Sequence, residues 1–206
     1  MAKPTNISPG DIIGAARLCL QEKGLSATTL KEVAARAGVT QGTVYYHFRT
    51  KDDLLMAVMQ TTIDLHLNTL TGIWNSKGDL PSKINDTLDA TQEVYGRDES
   101  FQRLFLNMGT LGLQNQRASD MLGQQLEKVG AVIESFCQRL LEENSPGVLN
   151  PKHISNIIIA AVTGLAIHSI FNREIDVGGS YEALKQMLQR LMQPGIEKNL
   201  GRKDNA

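Results

Sequence analysis

The fold of this 206-residue chain is decided by Thr29-Leu30-Lys31-Glu32-Val33-Ala34-Ala35-Arg36-Ala37-Gly38-Val39-Thr40-Gln41-Gly42-Thr43-Val44-Tyr45-Tyr46-His47-Phe48-Arg49-Thr50-Lys51. Thr29 followed three residues later by Glu32 is a capping box that opens a helix. Leu30, Val33, Ala34 and Ala37 then recur at i, i+3, i+4 and i+7, which places them on one helical face. Gly38 stands where the chain must turn, and glycine enters the left-handed region without a Cβ penalty. Val39 and Thr40 lead into a second, short helix expected from Gln41 to Phe48. Two helices joined by so short a turn make a helix-turn-helix unit.

The short helix has an unusual surface. On a wheel advancing roughly 100° per residue, Val44 and Phe48 lie about 40° apart and form the inner face. They can pack on Leu30, Val33 and Ala37. Gly42, Thr43 and Tyr46 lie far from that face, Tyr45 and His47 flank it, and Gln41 sits in the exposed first turn. The types suit the major groove of a nucleic-acid duplex. Gly42 allows close backbone approach. Gln41 can offer a bidentate amide to adenine, Thr43 can hydrogen-bond or touch a thymine methyl, and Tyr45 and Tyr46 can reach phosphates or bases. Thr29, Thr40, His47 and Lys51 suit phosphates, partly through helix N-terminal amides. A purely structural use, with the tyrosines packing the small domain and His47 capping its end, is the competing reading.

Outward from this segment the periodicity is helical almost everywhere. A first helix is expected from Pro9 to Lys23, with Ser8 as N-cap, Asp11 completing a capping box and Gly24 stopping it. Thr50 caps a fourth helix running to about Gly72, with Asp52 and Asp53 at its positive end. A fifth begins at Pro81, a sixth spans about Ser100–Met108, and a long seventh spans about Ser119–Glu143, broken by Ser145-Pro146-Gly147. Asn150-Pro151 opens a helix ending near Asn172, and the last is expected from Tyr181 to Met192, closed by Pro194-Gly195. The fold class is therefore all-α. The expected division is a helix-turn-helix domain over residues 1–50 and a larger helical domain over residues 51–206.

Several further residues fall at fixed spacing around the same unit: Ile12-Ile13, Ala15-Ala16, Gly24, Thr29, Val33 through Thr40, Gly42 through Phe48, and Lys51-Asp52-Asp53-Leu54-Leu55. In this pattern the chain resembles the DNA-binding domain of the tetracycline-repressor (TetR-type) family, over about residues 9–58. The resemblance implies an all-helical regulator that binds DNA as a homodimer, with a C-terminal domain whose small-molecule ligand releases the DNA. It also implies DNA contacts at Thr29, Gln41, Thr43, Tyr45, His47 and Lys51. Gln41 departs from the Lys or Arg of many relatives, which alters the expected base preference.

A two-fold dimer reads two half-sites about 34–36 Å apart, so a dimer surface is expected. The run Ile154–Asn172 is uncharged but carries Ser155, Asn156, Thr163, His168 and Ser169, too polar for lipid. It is expected to be a helix buried on most sides. Ile158, Ala161 and Leu165 from it, with Leu184, Leu188 and Leu191 from the last helix, are the expected four-helix dimer interface. The partners are thus double-stranded DNA with a palindromic operator, a second copy of the chain and an unidentified effector, with no membrane.

An effector pocket should be mostly apolar with a few polar groups. Met59, Ile63, His66, Trp74, Arg103, Phe105, Met108, Phe136 and Cys137 are the candidates to line it, with His66 or Arg103 orienting the ligand. Each also reads as ordinary core. The four histidines are scattered, no CxxC, HxxxH or P-loop spacing is present, and no nucleophile–base–orienter set can be assembled. No metal, cofactor or catalytic residue is expected.

Composition agrees with a globular chain: 41% apolar and 21% charged residues. Two cysteines cannot build a disulfide framework, and the polar N-terminus has no signal-peptide pattern, which together place the protein in the cytoplasm. Residues 1–51 hold seven basic and three acidic residues, a net +4, whereas the remainder carries −5. A basic head on an acidic body suits a polyanionic partner. A helical small-molecule sensor or carrier whose head no longer reads DNA is the alternative.

Overall fold

The computed structural model describes residues 7–144 and 149–190, the side chains of the long helix as far as Glu142. All regular structure among them is helical. Helices α1 (Pro9–Ala27), α2 (Leu30–Ala37), α3 (Gln41–His47), α4 (Lys51–Asn75), α5 (Leu80–Thr91), α6 (Glu99–Gly112), α7 (Gln116–Asn144), α8 (Pro151–Phe171) and α9 (Val177–Arg190) follow in order, with a π-helical segment at Gln92–Arg97 between α5 and α6.

Local chemistry sets most boundaries. Ser8 and Asp11 close a reciprocal capping box on α1. Gly24 does not end that helix as expected. It kinks it at φ 76°, ψ 176°, and one further turn follows to Ala27. The Thr50 hydroxyl accepts from the Asp53 amide at 3.0 Å while the Asp53 carboxylate accepts from the Thr50 amide at 3.2 Å, a second capping box. Asp79 caps α5 through the Ser82 amide at 2.8 Å, so the helix starts at Leu80. The last helix starts four residues earlier than expected, because Asp176 accepts from the Gly179 amide at 2.8 Å. Asn150 caps α8.

The chain forms two compact units. One holds the chain through Leu65 together with Ser100–Ser119. In it α1 packs on α2 and α2 on α3. Ile12, Ala16, Val33 and Val44 are fully enclosed there, as are Leu54, Leu55 and Met59 on the first half of α4. The other unit holds His66–Glu99 and the chain from Asp120 on. The two units part within α4, after Leu65.

In the second unit the Trp74 and Phe136 rings stack in parallel at 4.7 Å, with Leu70, Ile73, Val132 and Ile133 around them. Helix α9 packs on α5, where Lys185 reaches Asp89 at 2.6 Å and Gln189 reaches Asn85 at 2.9 Å. The π-helical segment packs on α5, α8 and α9. Its Gly96 lies so close to Gln92, Val177 and Tyr181 that a Cβ there would approach them at 3.0–3.4 Å.

Helix α8 differs from the expectation of a helix buried on most sides. Only 17% of its most apolar stretch is buried, and its enclosed residues are Ser155, Val162 and Ala166. By length and composition it could cross a membrane. An apolar helix that is not enclosed leaves aliphatic surface in solvent, here with Ile157 62% and Phe171 73% exposed.

Candidate nucleic-acid interface

The site is built by two caps and one glycine. Thr29 accepts from the Glu32 amide at 3.2 Å and starts α2. Gly38 ends it in the left-handed conformation, φ 69° and ψ 29°, where its amide donates to the Ala34 and Ala35 carbonyls. Any side chain at that φ is strained even though no neighbour crowds the position. Thr40 caps α3 by accepting from the Thr43 amide at 3.2 Å. These three residues fix the angle at which α3 leaves α2.

Packing then fixes the rotation of α3. Val44 is fully buried and Phe48 nearly so. Gln41, Gly42, Tyr45 and Tyr46 are exposed, with Tyr45 at 51% and Tyr46 at 73%. Thr43 and His47 are half-buried. The Thr43 hydroxyl lies 3.0 Å from that of Thr40, and the His47 ring stands edge-on to Tyr46 at 5.1 Å. A Cβ on Gly42 would meet only the Thr40 hydroxyl at an ordinary 3.6 Å, so nothing inside the chain requires glycine there.

Lys51, expected at a phosphate, also has a partner within the chain. Its ammonium donates to the Leu25 carbonyl at 2.5 Å and its stem is half-buried. The kink at Gly24 leaves Leu25 outside the regular α1 ladder, and Lys51 ties that turn to the start of α4. An ammonium has three donors, so two remain. Sequence reasoning missed Arg49. It is exposed and its guanidinium lies 5.3 Å from the centre of the Tyr45 ring. The signal was a cation four residues after an exposed tyrosine, one turn of helix if the helix had continued.

The expected pocket residues fall in both units. Met59, Ile63 and Met108 are buried, Phe105 is half-buried and Arg103 is exposed, all in the unit that carries the helix-turn-helix. In the second unit Trp74, Phe136 and Cys137 line a cavity of about 50 Å³, joined by Thr87, Ile158 and Leu188 among others. The Trp74 indole N–H donates to the Thr87 hydroxyl at 2.9 Å, so the cavity wall offers little free polarity. Burial, with the Glu134 charge second, pushes the Cys137 thiol up to about 12, which keeps it protonated and unreactive. His66 lies elsewhere in the unit, 3.3 Å from the Thr91 hydroxyl and edge-on to Tyr95 at 5.7 Å. Burial pulls its pKa down to about 4, so it is neutral at pH 7.

The expected interface residues divide likewise. Leu184 and Leu188 are turned into their own chain at 9% exposure, Ile158 and Leu188 belong to the cavity wall, Ala161 and Leu165 are half-buried, and Leu191 lies outside the described residues. The open face of α8 is instead Ile157, Ala160, Gly164, His168 and Phe171, with Met187 exposed on α9. The i, i+3, i+4 rule names an apolar stripe but not which of two stripes on an all-round apolar helix faces inward.

Comparison with known proteins agrees with this geometry. Residues 12–58 match the model for bacterial regulatory proteins of the tetR family. The chain is 25% identical to the transposon Tn10 TetC protein of Escherichia coli over 177 residues, 84% of this chain and 86% of that one. It is 38% identical to the regulator TtgR of Pseudomonas putida over 55 residues, which span only 26% of that relative. Among solved structures it is similar in fold to a transcriptional regulator from Rhodococcus (TM-score 0.70, 20% identity, 91% of this chain and 97% of that one). It is also similar to SmeT, the repressor of a Stenotrophomonas maltophilia multidrug efflux pump (TM-score 0.65, 22% identity, 94% and 96%). A capped helix, a left-handed glycine and a short helix with an outward polar and aromatic face, matched over residues 12–58, identify that segment as the helix-turn-helix domain of bacterial regulatory proteins of the tetR family.

Proposed function

We propose that the protein is a ligand-responsive repressor that binds a palindromic operator as a homodimer and leaves it when a small, largely apolar effector occupies the second unit. The observation that carries the DNA half is the outer face of α3. Two tyrosines stand mostly in solvent and Gly42 has no packing reason to be glycine, while Val44 and Phe48 anchor the helix. Gln41, Gly42, Thr43, Tyr45, Tyr46 and His47 then meet base edges and phosphates, and Thr29, Thr40 and Lys51 stand beside the backbone. The hydroxyl oxygens of Thr29 and Thr40 accept from backbone amides as caps, and accepting leaves a hydroxyl's own O–H able to donate to a phosphate.

The dimer half is supported by α8. Its open stripe of Ile157, Ala160, Gly164, His168 and Phe171 is apolar but for His168, with small residues where another helix can approach closely. A second copy is the partner that satisfies two-fold symmetry and gives two α3 helices for two half-sites.

Release is a population shift: effector binding favours a head spacing that no longer fits successive grooves, with a coupling of about 1–3 kcal/mol. Helix α4 is the natural lever, because one continuous helix starts at Lys51, close after α3 in the chain, and its last turn carries Trp74 in the cavity wall. The test is selection of bound sequences from a random duplex pool. A palindromic site with half-sites one helical turn apart is expected, bound far more weakly by Tyr45→Ala. Recovery of no sequence above background would overturn the reading.

A further inference from the structure

The end of α4 carries more positive charge than a helix terminus needs. The Trp74 carbonyl accepts from Lys83 Nζ at 3.2 Å and from Arg139 Nη2 at 3.1 Å. The Arg139 guanidinium also lies 5.7 Å from the centre of the Trp74 ring. Among the described residues neither cation has a carboxylate partner. Of the acids close by in sequence, Asp79 accepts from the Ser82 amide, Glu142 accepts from the Gln138 side chain, and Asp86 makes no ion pair with Lys83. A helix C-terminus presents roughly half a negative charge. Two full cations on one carbonyl exceed that, and their mutual repulsion is relieved by an anion between them. Most of their donors are unused, since a guanidinium has five and an ammonium three.

The same tryptophan walls the apolar cavity with its ring. Phe136, one turn before Arg139, stacks on it, and Cys137 and Leu140 complete that wall. Cations and cavity are therefore two parts of one place. The cavity, about 50 Å³, is a third of the roughly 150 Å³ that holds a benzene ring. It takes the end of a slim chain rather than a ring system.

We propose that this place binds an amphiphilic carboxylate: an unbranched apolar chain seated beside Trp74, Phe136 and Cys137, with its carboxylate between Arg139 and Lys83. The proposal rests on the reading of the second unit as the effector domain only for its consequence at DNA; binding itself stands apart from it.

The chain has a single tryptophan, so Trp74 emission reports the site directly in the full-length protein without DNA. Sodium octanoate is expected to change that emission saturably, and octan-1-ol to bind at least ten-fold more weakly. The pair Arg139→Gln with Lys83→Gln is expected to lower octanoate affinity about ten-fold and leave octanol unchanged, read in parallel by calorimetry. Cys137→Leu fills the cavity and is expected to abolish binding of both with little change in melting temperature. Equal affinity of octanoate and octanol, retained octanoate binding in the double variant, or no saturable response to any carboxylate from butyrate to dodecanoate would each overturn the proposal. Octanoate binding that leaves operator affinity unaltered would uphold the site and sink the release mechanism instead.

Discussion

Helices α3 and α8 both leave large side chains in solvent, and they do so in opposite chemistry. On α3 the exposed groups are Tyr45 and Tyr46, with Gln41 beside them: apolar bodies with hydrogen-bonding tips. On α8 they are Ile157 and Phe171, with Ala160 and Gly164 between, apolar but for the single polar ring of His168. An amphipathic tip tolerates water until a polar partner arrives. A bare aliphatic stripe costs free energy for as long as it stays wet, at about 25 cal/mol per Å². The first has the chemistry that would suit an intermittent, hydrated partner such as the proposed DNA, the second that of a lasting one such as the proposed second subunit.

The largest test of that contrast is Ile157→Asp. A charge in the middle of the α8 stripe should leave the monomer folded, since Ile157 packs little within its own chain, and convert a dimer to monomers by sedimentation. Operator affinity should fall by more than 100-fold, because one head alone reads one half-site. A dimer that survives the substitution would place the partner surface elsewhere.

Acid separates the two regions next. His66 is held neutral by burial, with its pKa near 4 against 6.5 in the unfolded chain. The unfolded state therefore binds the proton more readily, and stability that is complete above pH 6.5 is lost as pH falls toward 4. The shift corresponds to about 3 kcal/mol as an upper figure. Its contacts Thr91 and Tyr95 lie in the unit that carries α8. Urea midpoints at pH 7 and pH 4.5 should differ, and His66→Gln should reduce the difference. An unchanged pH dependence in that variant would assign the acid sensitivity to other groups.

The two regions also differ in how far the sequence foretells them. The helix-turn-helix is legible because its determinants are local: Thr29 and Thr40 cap within three residues, Gly38 turns the chain, and the Val44–Phe48 face is one turn of one helix. The exposure of α8 is not legible. Ile157 and Ile158 are neighbours of identical type, and only tertiary placement sends one into solvent and the other to the cavity wall. The π-helical segment escapes for a related reason, since one residue's change of hydrogen-bond register leaves no compositional mark. In the second unit, Trp74, Phe136 and Cys137 share one cavity wall although they lie far apart in the chain, a convergence that no local spacing encodes. Arg139, whose side chain reaches back across 65 residues to the Trp74 carbonyl, likewise owes its place to tertiary contact.

Lys51 shows where local reading and tertiary contact meet, and it offers the finest test. Taken from the pattern alone, its ammonium is a phosphate ligand, and Lys51→Ala should lower the salt dependence of operator binding by nearly one counterion, on top of a uniform loss of affinity. The bond to Leu25 adds a second role, because that carbonyl lies past the Gly24 kink and Lys51 bonds it across the start of α4. Lys51→Ala should then also lower the stability of the unit without DNA by about 1 kcal/mol, a hydrogen bond's usual worth with a charged donor at its surface. Lys51→Met, which keeps the stem but has no donor, separates burial of the stem from the bond itself. If both variants melt like the wild type while the salt slope drops, the ammonium serves DNA alone; if stability falls and the slope holds, Lys51 belongs to the scaffold that aims α3, and the cationic contact with the duplex passes to Arg49 over Tyr45.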